Sequence, residues 1–321
     1  MWKTIVRRLL ILIPQLLVLS VLIFMLAQLM PGDALRGVVG PGISAERIEE
    51  MRELHGLNDP WYVQYVRWMR GILIEGDFGR SVSHMRPVTD IIGERLGNTV
   101  RLSLLTTFFT YLIAIPLGLI AAKKNGRGPD RVIMVYTFIA LSMPTVVFSL
   151  INILVFSFRA GWFPWSGSVD AAAVAGTFGY FLSRLHHLIL PALTLALLAT
   201  VGTIYFLRSE IIDYESSDFV NTARSKGVPE RHIYTRHILR NSLIPIAGNA
   251  GSVIIMLFSG SIFIENVFSY PGMGQLFLSS IVARDFPVAN TLVMFYAFLT
   301  VISVLVADIL ITVIDPRIRI K

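Results

Sequence analysis

Long runs of apolar residues alternate with shorter polar connections along almost the whole chain. An α-helix needs roughly 20 such residues to cross the hydrocarbon core of a bilayer. Six runs come close to that length, at residues 9–30, 99–122, 132–158, 188–207, 243–264 and 291–314. The pattern therefore predicts an all-α membrane protein with six transmembrane helices.

The first run also resembles a secretory signal peptide, because basic residues precede it. It is too long for one, and no small-residue cleavage site follows, so we predict an uncleaved helix. With this helix the chain divides into four parts. They are an N-terminal transmembrane helix (1–30), an extracytoplasmic loop domain with short helices (31–98), a five-helix core (99–314) that contains a polar hairpin (214–245), and a cytoplasmic tail (315–321).

The distribution of basic residues predicts the orientation, because short loops rich in Lys and Arg stay in the cytoplasm. The short link after the second run holds four of them: Lys123, Lys124, Arg127 and Arg131. Basic residues also flank both ends of the chain. We therefore expect cytoplasmic N and C termini and a cytoplasmic connection at 208–242. The 31–98 connection then lies outside, since long loops translocate with little regard to charge.

Two prolines in the outer connection predict helix starts, because proline fits the first turn of a helix. Pro60 favours a helix that continues through Trp68. Pro87 favours another, which we expect to lie along the membrane interface before the second run. The later connection at 159–187 holds a mildly apolar stretch, 169–182, that is too short to cross the membrane but leaves a re-entrant segment open.

Composition agrees with a membrane protein and narrows the remaining function classes. The 321 residues are 54% hydrophobic and 15% charged, with a mean hydropathy of +0.67, which excludes an ordinary soluble domain. Basic cytoplasmic loops explain the net charge of +7, so we expect no nucleic acid partner. The absence of cysteine excludes disulfides and Cys-ligated zinc.

The sequence lacks the motifs that an enzyme or a nucleotide-binding protein would carry. It has no G-x-x-x-x-G-K-[ST] phosphate loop and no H-E-x-x-H helix. We therefore predict a non-catalytic chain without a cofactor or metal of its own. The adjacent His186 and His187 would point in different directions from a helix or a strand, so they are not expected to form a metal site.

Ionisable residues are scarce within the apolar runs. Glu265 ends the fifth run and Asp308 lies in the sixth; each is a candidate for a structural pairing or for the substrate pathway, and we favour structural pairing for Asp308. A carrier driven by protons or sodium usually places several carboxylates at mid-depth. Their scarcity indicates an energy source in another subunit, with an ion-coupled secondary carrier as the alternative.

The polar hairpin at 214–245 has signals for a helix, a break and a second helix. Ser216 or Ser217 can cap the first helix through a side-chain oxygen. Gly227 suits the left-handed residue that follows a helix, and Pro229 suits the start of the next one. A membrane protein with such a structured basic hairpin is expected to present it to a soluble partner.

Helical spacing predicts which residues of the hairpin share a face. In the first helix Phe219, Ala223 and Lys226 lie together, and the small Ala223 would allow a partner to approach closely. In the second helix, three basic residues recur at four-residue steps: His232, Arg236 and Arg240. A solvated basic loop that lies on anionic lipid is the plain alternative.

The hairpin is similar to the cytoplasmic loop of type I ABC importer permeases, whose E-A-A-x-x-x-G motif docks on the ATPase subunit. The corresponding residues here run from Asn221 to Gly227, N-T-A-R-S-K-G, and only Ala223 and Gly227 match strictly. The acidic first residue is missing. The peptide and nickel branch of the family shows this departure, and its T-A-R-x-K-G and R-H-x-L-R-N-x-L-I-P patterns fit residues 222–227 and 236–245.

Further matches to this branch are spread over nearly the full length of the chain. They are P-G-D at 31–33, G-D-F-G-R-S at 76–81, P-G-M-G at 271–274, R-D at 284–285 and D-P-R-I-R at 315–319. Glu265 and Asp308 belong to the matching positions as well. The early first helix and the long outer connection resemble the first of the two permeases in oligopeptide and dipeptide systems, the B component.

The resemblance implies a type I ABC importer permease fold in a multi-pass protein of the prokaryotic cell (plasma or inner) membrane. It implies a permease subunit of an ATP-driven, binding-protein-dependent importer of oligopeptides or dipeptides, with nickel as the alternative substrate. The implied partners are a homologous second permease, two ABC ATPases that bind ATP and Mg, an extracytoplasmic peptide-binding protein and the lipid bilayer. The implied ATPase-coupling residues are Ala223, Arg224, Lys226, Gly227, Arg236 and His237.

Overall fold

The structure is a computed structural model that describes residues 2–29, 49–50, 53, 58–243, 246 and 261–314, with side chains for all of these except 2–9, 11–12, 26–29 and 307–314. In chain order its helices are α1 (Trp2–Leu29), α2 (Trp61–Arg70), α3 (Val88–Lys123), α4 (Gly128–Ser142), α5 (Thr145–Asn152), α6 (Phe178–Glu215), α7 (Asp218–Ser225), α8 (Glu230–His232), α9 (Leu239–Ser242), α10 (Ile262–Val267), α11 (Met273–Val282) and α12 (Phe286–Ile314). Runs of π-helix extend α2, α5 and α8 over Gly71–Glu75, Ile153–Arg159 and Ile233–Ile238.

Four of the six predicted apolar runs coincide with the single helices α1, α3, α6 and α12. Of the described residues, α3, α6 and the Phe286–Val306 part of α12 are each long and apolar enough to cross a membrane. This confirms the prediction of an all-α membrane protein with several apolar helices. The fifth predicted run, 243–264, lies almost wholly outside the described residues.

The third predicted run, 132–158, is not one continuous helix. The chain bends by 108° between α4 and the helical stretch Thr145–Arg159. Pro144 explains the bend, because proline has no N–H to donate and keeps the residue before it out of the helical conformation. Met143 is accordingly extended, with φ −90° and ψ 123°. The run is therefore a helix pair broken at Pro144 and not one straight helix.

Both helix starts predicted from proline are confirmed, with Pro60 before α2 and Pro87 before α3. However, α3 continues without a break to Lys123 and is 36 residues long, so the separate interfacial helix predicted after Pro87 is wrong. Val88 and Ile91 are buried in a cluster with apolar residues of α11 and α12. Their apolar spacing therefore reflects contact with other helices of the chain and not with the membrane surface.

The 38-residue helix α6 leads from the connection at 160–177 to the hairpin. Thr177 caps its first turn by accepting a hydrogen bond from the Tyr180 N–H at 3.2 Å. The helix takes in the last residues of the 169–182 stretch, and the part before Phe178 consists of turns and irregular backbone. Close packing joins α6 to α3, because a Cβ added at Gly118 of α3 would lie 2.9 Å from the Leu207 Cβ. The hairpin therefore starts from a firmly packed helix pair.

Candidate functional site

The hairpin begins where α6 ends, and α7 follows after a short turn. Ser217 occupies the N-cap position of α7, so the predicted helix start is confirmed. Its hydroxyl donates to the carbonyl oxygen of Tyr214 at 2.6 Å and accepts no hydrogen bond from α7. The predicted side-chain cap is therefore not formed, and the serine instead ties the turn back to the end of α6.

The break between α7 and α8 is made by a glycine and a proline. Gly227 has φ +73°, the left-handed conformation that side chains with a Cβ resist. Its N–H donates to the Arg224 carbonyl at 2.9 Å, which closes the turn. No atom lies within 4 Å of the position that a Cβ would take, so glycine is required for its backbone conformation and not for space. Pro229 follows at the N-cap position of α8, which confirms the predicted break.

The inner face of the hairpin is apolar and packs against other helices of this chain. Its buried residues form one cluster with the ends of α3 and α6: Ala122, Leu207, Ile211, Val220, Ala223, Ile233, Tyr234 and Ile238. Ala223 is only 7% exposed within this cluster. The expectation that its side chain lets a partner approach is therefore wrong, because helical spacing predicts a shared face but not what covers that face.

Polar contacts hold α6, α7 and α8 together. Arg224 Nε donates to Glu230 Oε1 at 2.8 Å, and Arg224 Nη2 lies 3.4 Å from Glu215 Oε1. The Tyr234 hydroxyl donates to the same Glu215 oxygen at 2.6 Å, and Lys123 Nζ lies 5.2 Å from the centroid of the Tyr234 ring. The hydrogen bond from Arg224 lowers the pKa of Glu230, while burial and the Glu215 carboxylate raise the pKa of Tyr234. Arg224 is thus engaged within the chain.

The outer surface of the hairpin is basic. Lys226, Arg236 and His237 are all exposed there. Further exposed basic residues surround them: Arg231, His232 and Arg240. The segment Ile233–Ile238 is π-helical, so the regular four-residue spacing predicted for the second helix does not describe its backbone. Contact between this surface and another subunit stays a prediction.

A partly buried ion pair that was not predicted ties the start of α4 to the C-terminal part of α6. Arg208 donates from Nε to Asp130 Oδ1 at 2.7 Å and from Nη2 to Asp130 Oδ2 at 2.9 Å. Asp130 also accepts from the Gly126 N–H at 2.8 Å, and Arg208 Nη2 reaches Asn125 Oδ1 at 2.6 Å. The available signal was that Asp130 is an acid within the basic link at 123–131. The pair fixes this link to the helix that carries the hairpin.

Glu265 is fully buried. It lies in α10, but its carboxylate caps the first turn of α11. Its Oε2 accepts from the Gln275 N–H at 2.9 Å, and its Oε1 accepts from the Thr99 hydroxyl at 3.1 Å. Thr99 Oγ1 in turn accepts from the Met273 N–H at 2.7 Å. The first N–H groups of a helix have no partner inside the helix, and negative charge is favoured beside them. Glu265 had two candidate roles, a structural pairing and a place in the substrate pathway. The geometry supports the structural pairing.

The G-D-F-G-R-S and R-D motifs meet in the structure, although 204 positions separate Ser81 from Asp285. Asp285 is buried and accepts a hydrogen bond from the Ser81 hydroxyl. It also accepts from the N–H groups of Val82 at 3.2 Å and Ser83 at 3.1 Å. The carboxylate therefore fastens the outer connection to the start of α12.

Asp285→Asn is expected to destabilise the protein by about 1–2 kcal/mol, because an amide leaves one of the buried donors without an acceptor. Thermal unfolding measures the loss, and limited proteolysis of the outer connection should become faster. Asp77→Asn is the matched control, since Asp77 is exposed and accepts from the nearby Gly79 N–H at 2.8 Å. Equal losses in the two variants would contradict the role assigned to Asp285.

The remaining candidate residues are Asp308 and the two adjacent histidines, His186 and His187. Asp308 lies in α12, but its side chain is outside the described residues. His186 Nε2 lies 2.7 Å from the Trp162 carbonyl oxygen, and His187 Nδ1 lies 2.8 Å from the Ser183 carbonyl oxygen. Each ring thus contacts a different part of the backbone. Within the described residues, no group of three or more His, Cys, Asp or Glu side chains could hold a metal ion.

Comparison with protein families gives two matches that cover most of the chain. Residues 1–105 match the family described as binding-protein-dependent transport system membrane component, N-terminal. Residues 114–320 match the family described as binding-protein-dependent transport system inner membrane component. The gap between the two matches lies inside α3, so a single helix joins the two matched regions.

Relatives of this chain are similar over its whole length. The oligopeptide transport system permease protein AppB of Bacillus subtilis (strain 168) is 40% identical over 316 residues, 98% of each chain. The glutathione transport system permease protein GsiC of Escherichia coli (strain K12) is 34% identical over 321 residues, 100% of each chain. A chain of the MetNI methionine ABC transporter, solved in inward facing conformations, has a TM-score of 0.56 at 14% identity and matches 71% of this chain and 97% of its own length. That last likeness shows the fold alone.

Proposed function

Because the chain belongs to the family of binding-protein-dependent transport system inner membrane components, we propose that it is a permease subunit of an ATP-driven importer of oligopeptides or dipeptides. The observation that carries the proposal is the full-length similarity to permeases of an oligopeptide and a glutathione transport system. Glutathione is itself a short peptide. Both relatives therefore favour a peptide over nickel as the substrate.

In the proposed assembly, this chain and a homologous second permease form the translocation pathway. Two ABC ATPases bind ATP and Mg on the cytoplasmic side, and an extracytoplasmic peptide-binding protein delivers the substrate. The chain hydrolyses no ATP itself. Its termini and its hairpin face the cytoplasm, and the basic links at 123–131 and 208–242 support this orientation.

The hairpin is the proposed contact with the ATPases. Two exposed residues, Lys226 and Arg236, offer positive charge to an acidic partner surface, and the exposed His237 lies beside Arg236. Gly227 sets the angle between α7 and α8, while Ala223 and Arg224 hold the hairpin together from inside. Because the apolar inner face packs on α3 and α6, movement of the hairpin would move both helices with it. ATP-driven closure of the ATPases would reach the pathway in this way.

Gly227→Val tests this contact. A β-branched residue at φ +73° carries strain of about 1–3 kcal/mol, so we expect the angle between α7 and α8 to change and uptake to fall about tenfold. ATP hydrolysis is expected to continue, because the variant uncouples the subunits without blocking the ATPases. Peptide uptake and ATP hydrolysis by the complete assembly in proteoliposomes measure the two activities, and membrane fractionation checks insertion.

Gly161→Val is the matched control for this experiment. Gly161 lies in the connection between Arg159 and α6, has a similar φ of +65°, and also has no atom within 4 Å of the position of a Cβ. The same strain is therefore introduced outside the hairpin, and uptake per assembled complex should stay normal. Normal uptake by Gly227→Val, or an equal loss in both variants, would count against the hairpin as the coupling site.

The substrate and the energy source need separate measurements. Uptake of labelled di- and oligopeptides by the assembly, compared with nickel uptake, distinguishes the two substrates of the family branch. Transport by this chain alone in liposomes under an ion gradient would support a secondary carrier and refute the proposal. We expect peptide uptake that requires ATP, the ATPases and the binding protein.

A further inference from the structure

A groove lies between α3 and α6 near the ends that are distant from the hairpin. Its volume is about 400 Å³. Four of its lining residues come from α3 and four from α6: Arg101, Leu104, Leu105, Phe108, Phe181, Arg184, Leu185 and Leu188. The groove thus combines two guanidinium groups with a wall made of leucine and phenylalanine. The proposed coupling mechanism assigns it no role.

The two arginines of the groove have neutral partners. Arg101 Nη1 donates to Asn98 Oδ1 at 3.0 Å, and Arg184 Nη2 donates to the Tyr180 hydroxyl at 2.8 Å. Among the described residues, no carboxylate lines the groove. The two positive charges together favour a ligand with an anionic oxygen.

The charged groups of the groove lie at the membrane boundary, and its apolar groups from α3 lie deeper in the membrane. Arg184 lies just before the apolar run at 188–207, and Arg101 lies at the start of the run at 99–122, so both belong to the membrane boundary. A helix rises about 1.5 Å per residue, which places Phe108 roughly 10 Å deeper than Arg101. Leu104 and Phe108 are also exposed, by 54% and 59%. A ligand in the groove therefore meets charge at the boundary and apolar surface below it.

We infer that the groove binds an anionic phospholipid, with the phosphate at Arg101 and Arg184 and an acyl chain along Leu104 and Phe108. Guanidinium groups form strong charge-assisted hydrogen bonds to phosphate oxygens such as those of a lipid headgroup. A translocated peptide would need polar partners for its amide groups, and apart from the arginines the described lining residues of the groove are apolar. The inference is independent of the proposed peptide substrate, because its readout is lipid binding.

Native mass spectrometry of the intact assembly tests the site, with phosphatidylglycerol and phosphatidylcholine added at equal concentrations. The wild type is expected to retain phosphatidylglycerol preferentially. The double variant Arg101→Gln/Arg184→Gln should bind it about tenfold less, with phosphatidylcholine binding unchanged. Arg159→Gln is the matched control, because Arg159 is an exposed arginine that directly follows the run at 132–158 and lies outside the groove.

Three results would overturn the inference. They are equal retention of phosphatidylglycerol by the double variant and the wild type, no lipid preference in the wild type, and displacement of the lipid by a labelled dipeptide. The last result would assign the groove to the peptide pathway. If the double variant does not assemble, Arg184→Gln alone is expected to show a smaller loss of phosphatidylglycerol with normal phosphatidylcholine binding.

Discussion

Gly274→Ala is expected to destabilise the protein by about 2–4 kcal/mol, the sum of overpacking and of lost hydrogen bonds to Glu265. A Cβ at this position would lie 2.9 Å from the Ile262 nitrogen and 3.1 Å from Glu265 Oε2. Backbone atoms of α10 cannot rotate away as a side chain can, so α10 and α11 must separate. That separation removes the carboxylate from the first turn of α11. Thermal unfolding of the purified assembly measures the loss.

Gly272→Ala is also expected to destabilise the protein, but through contact with a side chain instead of the backbone. A second substitution can distinguish the two causes. A Cβ at Gly272 would overlap Glu265 Cδ, an atom that a shorter side chain would withdraw. Glu265→Asp should therefore restore part of the stability of Gly272→Ala but not of Gly274→Ala, where the Ile262 backbone remains in contact. Gly93→Ala is the control, since no atom lies within 4 Å of a Cβ there and alanine favours a helix. Tolerance of all three alanines would disprove the close packing of this turn.

The second large effect is expected at the ion pair between α4 and α6. Asp130→Ala should cost about 2–3 kcal/mol, because it leaves the Arg208 guanidinium without its counterion and the Gly126 N–H without its acceptor. Fully buried pairs lose about 3–5 kcal/mol when one partner is removed. Arg208 is 25% exposed in its side chain, so solvent reduces the penalty here.

A double-mutant cycle isolates the interaction between these two residues. Thermal unfolding of Asp130→Ala, Arg208→Ala and the double variant should give a coupling energy above about 1 kcal/mol. The same cycle on Arg224 and Glu230, whose side chains are 35% and 53% exposed, is the control and should give less than about 1 kcal/mol. Additive losses at Asp130 and Arg208 would show that the ion pair does not contribute as the geometry indicates.

Local sequence signals were sufficient to predict the break between α7 and α8 in the hairpin. Gly227 and Pro229 act through their own backbone conformations, so the rules for helix ends apply without knowledge of the rest of the fold. Pro144 lies inside the third apolar run, where a proline can kink a helix, but the sequence pattern does not predict the angle of the bend. The 108° bend shows that the proline decides the local structure there.

The contacts that hold the hairpin and the outer connection in place were not predicted, although Ser81 and Asp285 stood in motifs that match the family branch. The hydrogen-bonded partners Asp130 and Arg208 are 78 positions apart. Thr99 and Glu265 are 166 positions apart, and that pair depends on how α3 meets α10 and α11. Hydrophobic period and turn chemistry describe neighbours along the chain and contain no information on such distant contacts.

The sequence by itself determined four of the apolar helices, the place where the hairpin breaks, and the family to which the chain belongs. Only the tertiary structure decided that Ala223 is covered by the chain's own helices, that Arg224 is engaged with Glu215 and Glu230, and that Glu265 caps α11. The reason is physical. Helix and turn preferences act over a few residues, whereas burial and the pairing of polar groups depend on segments that come together only when the chain folds.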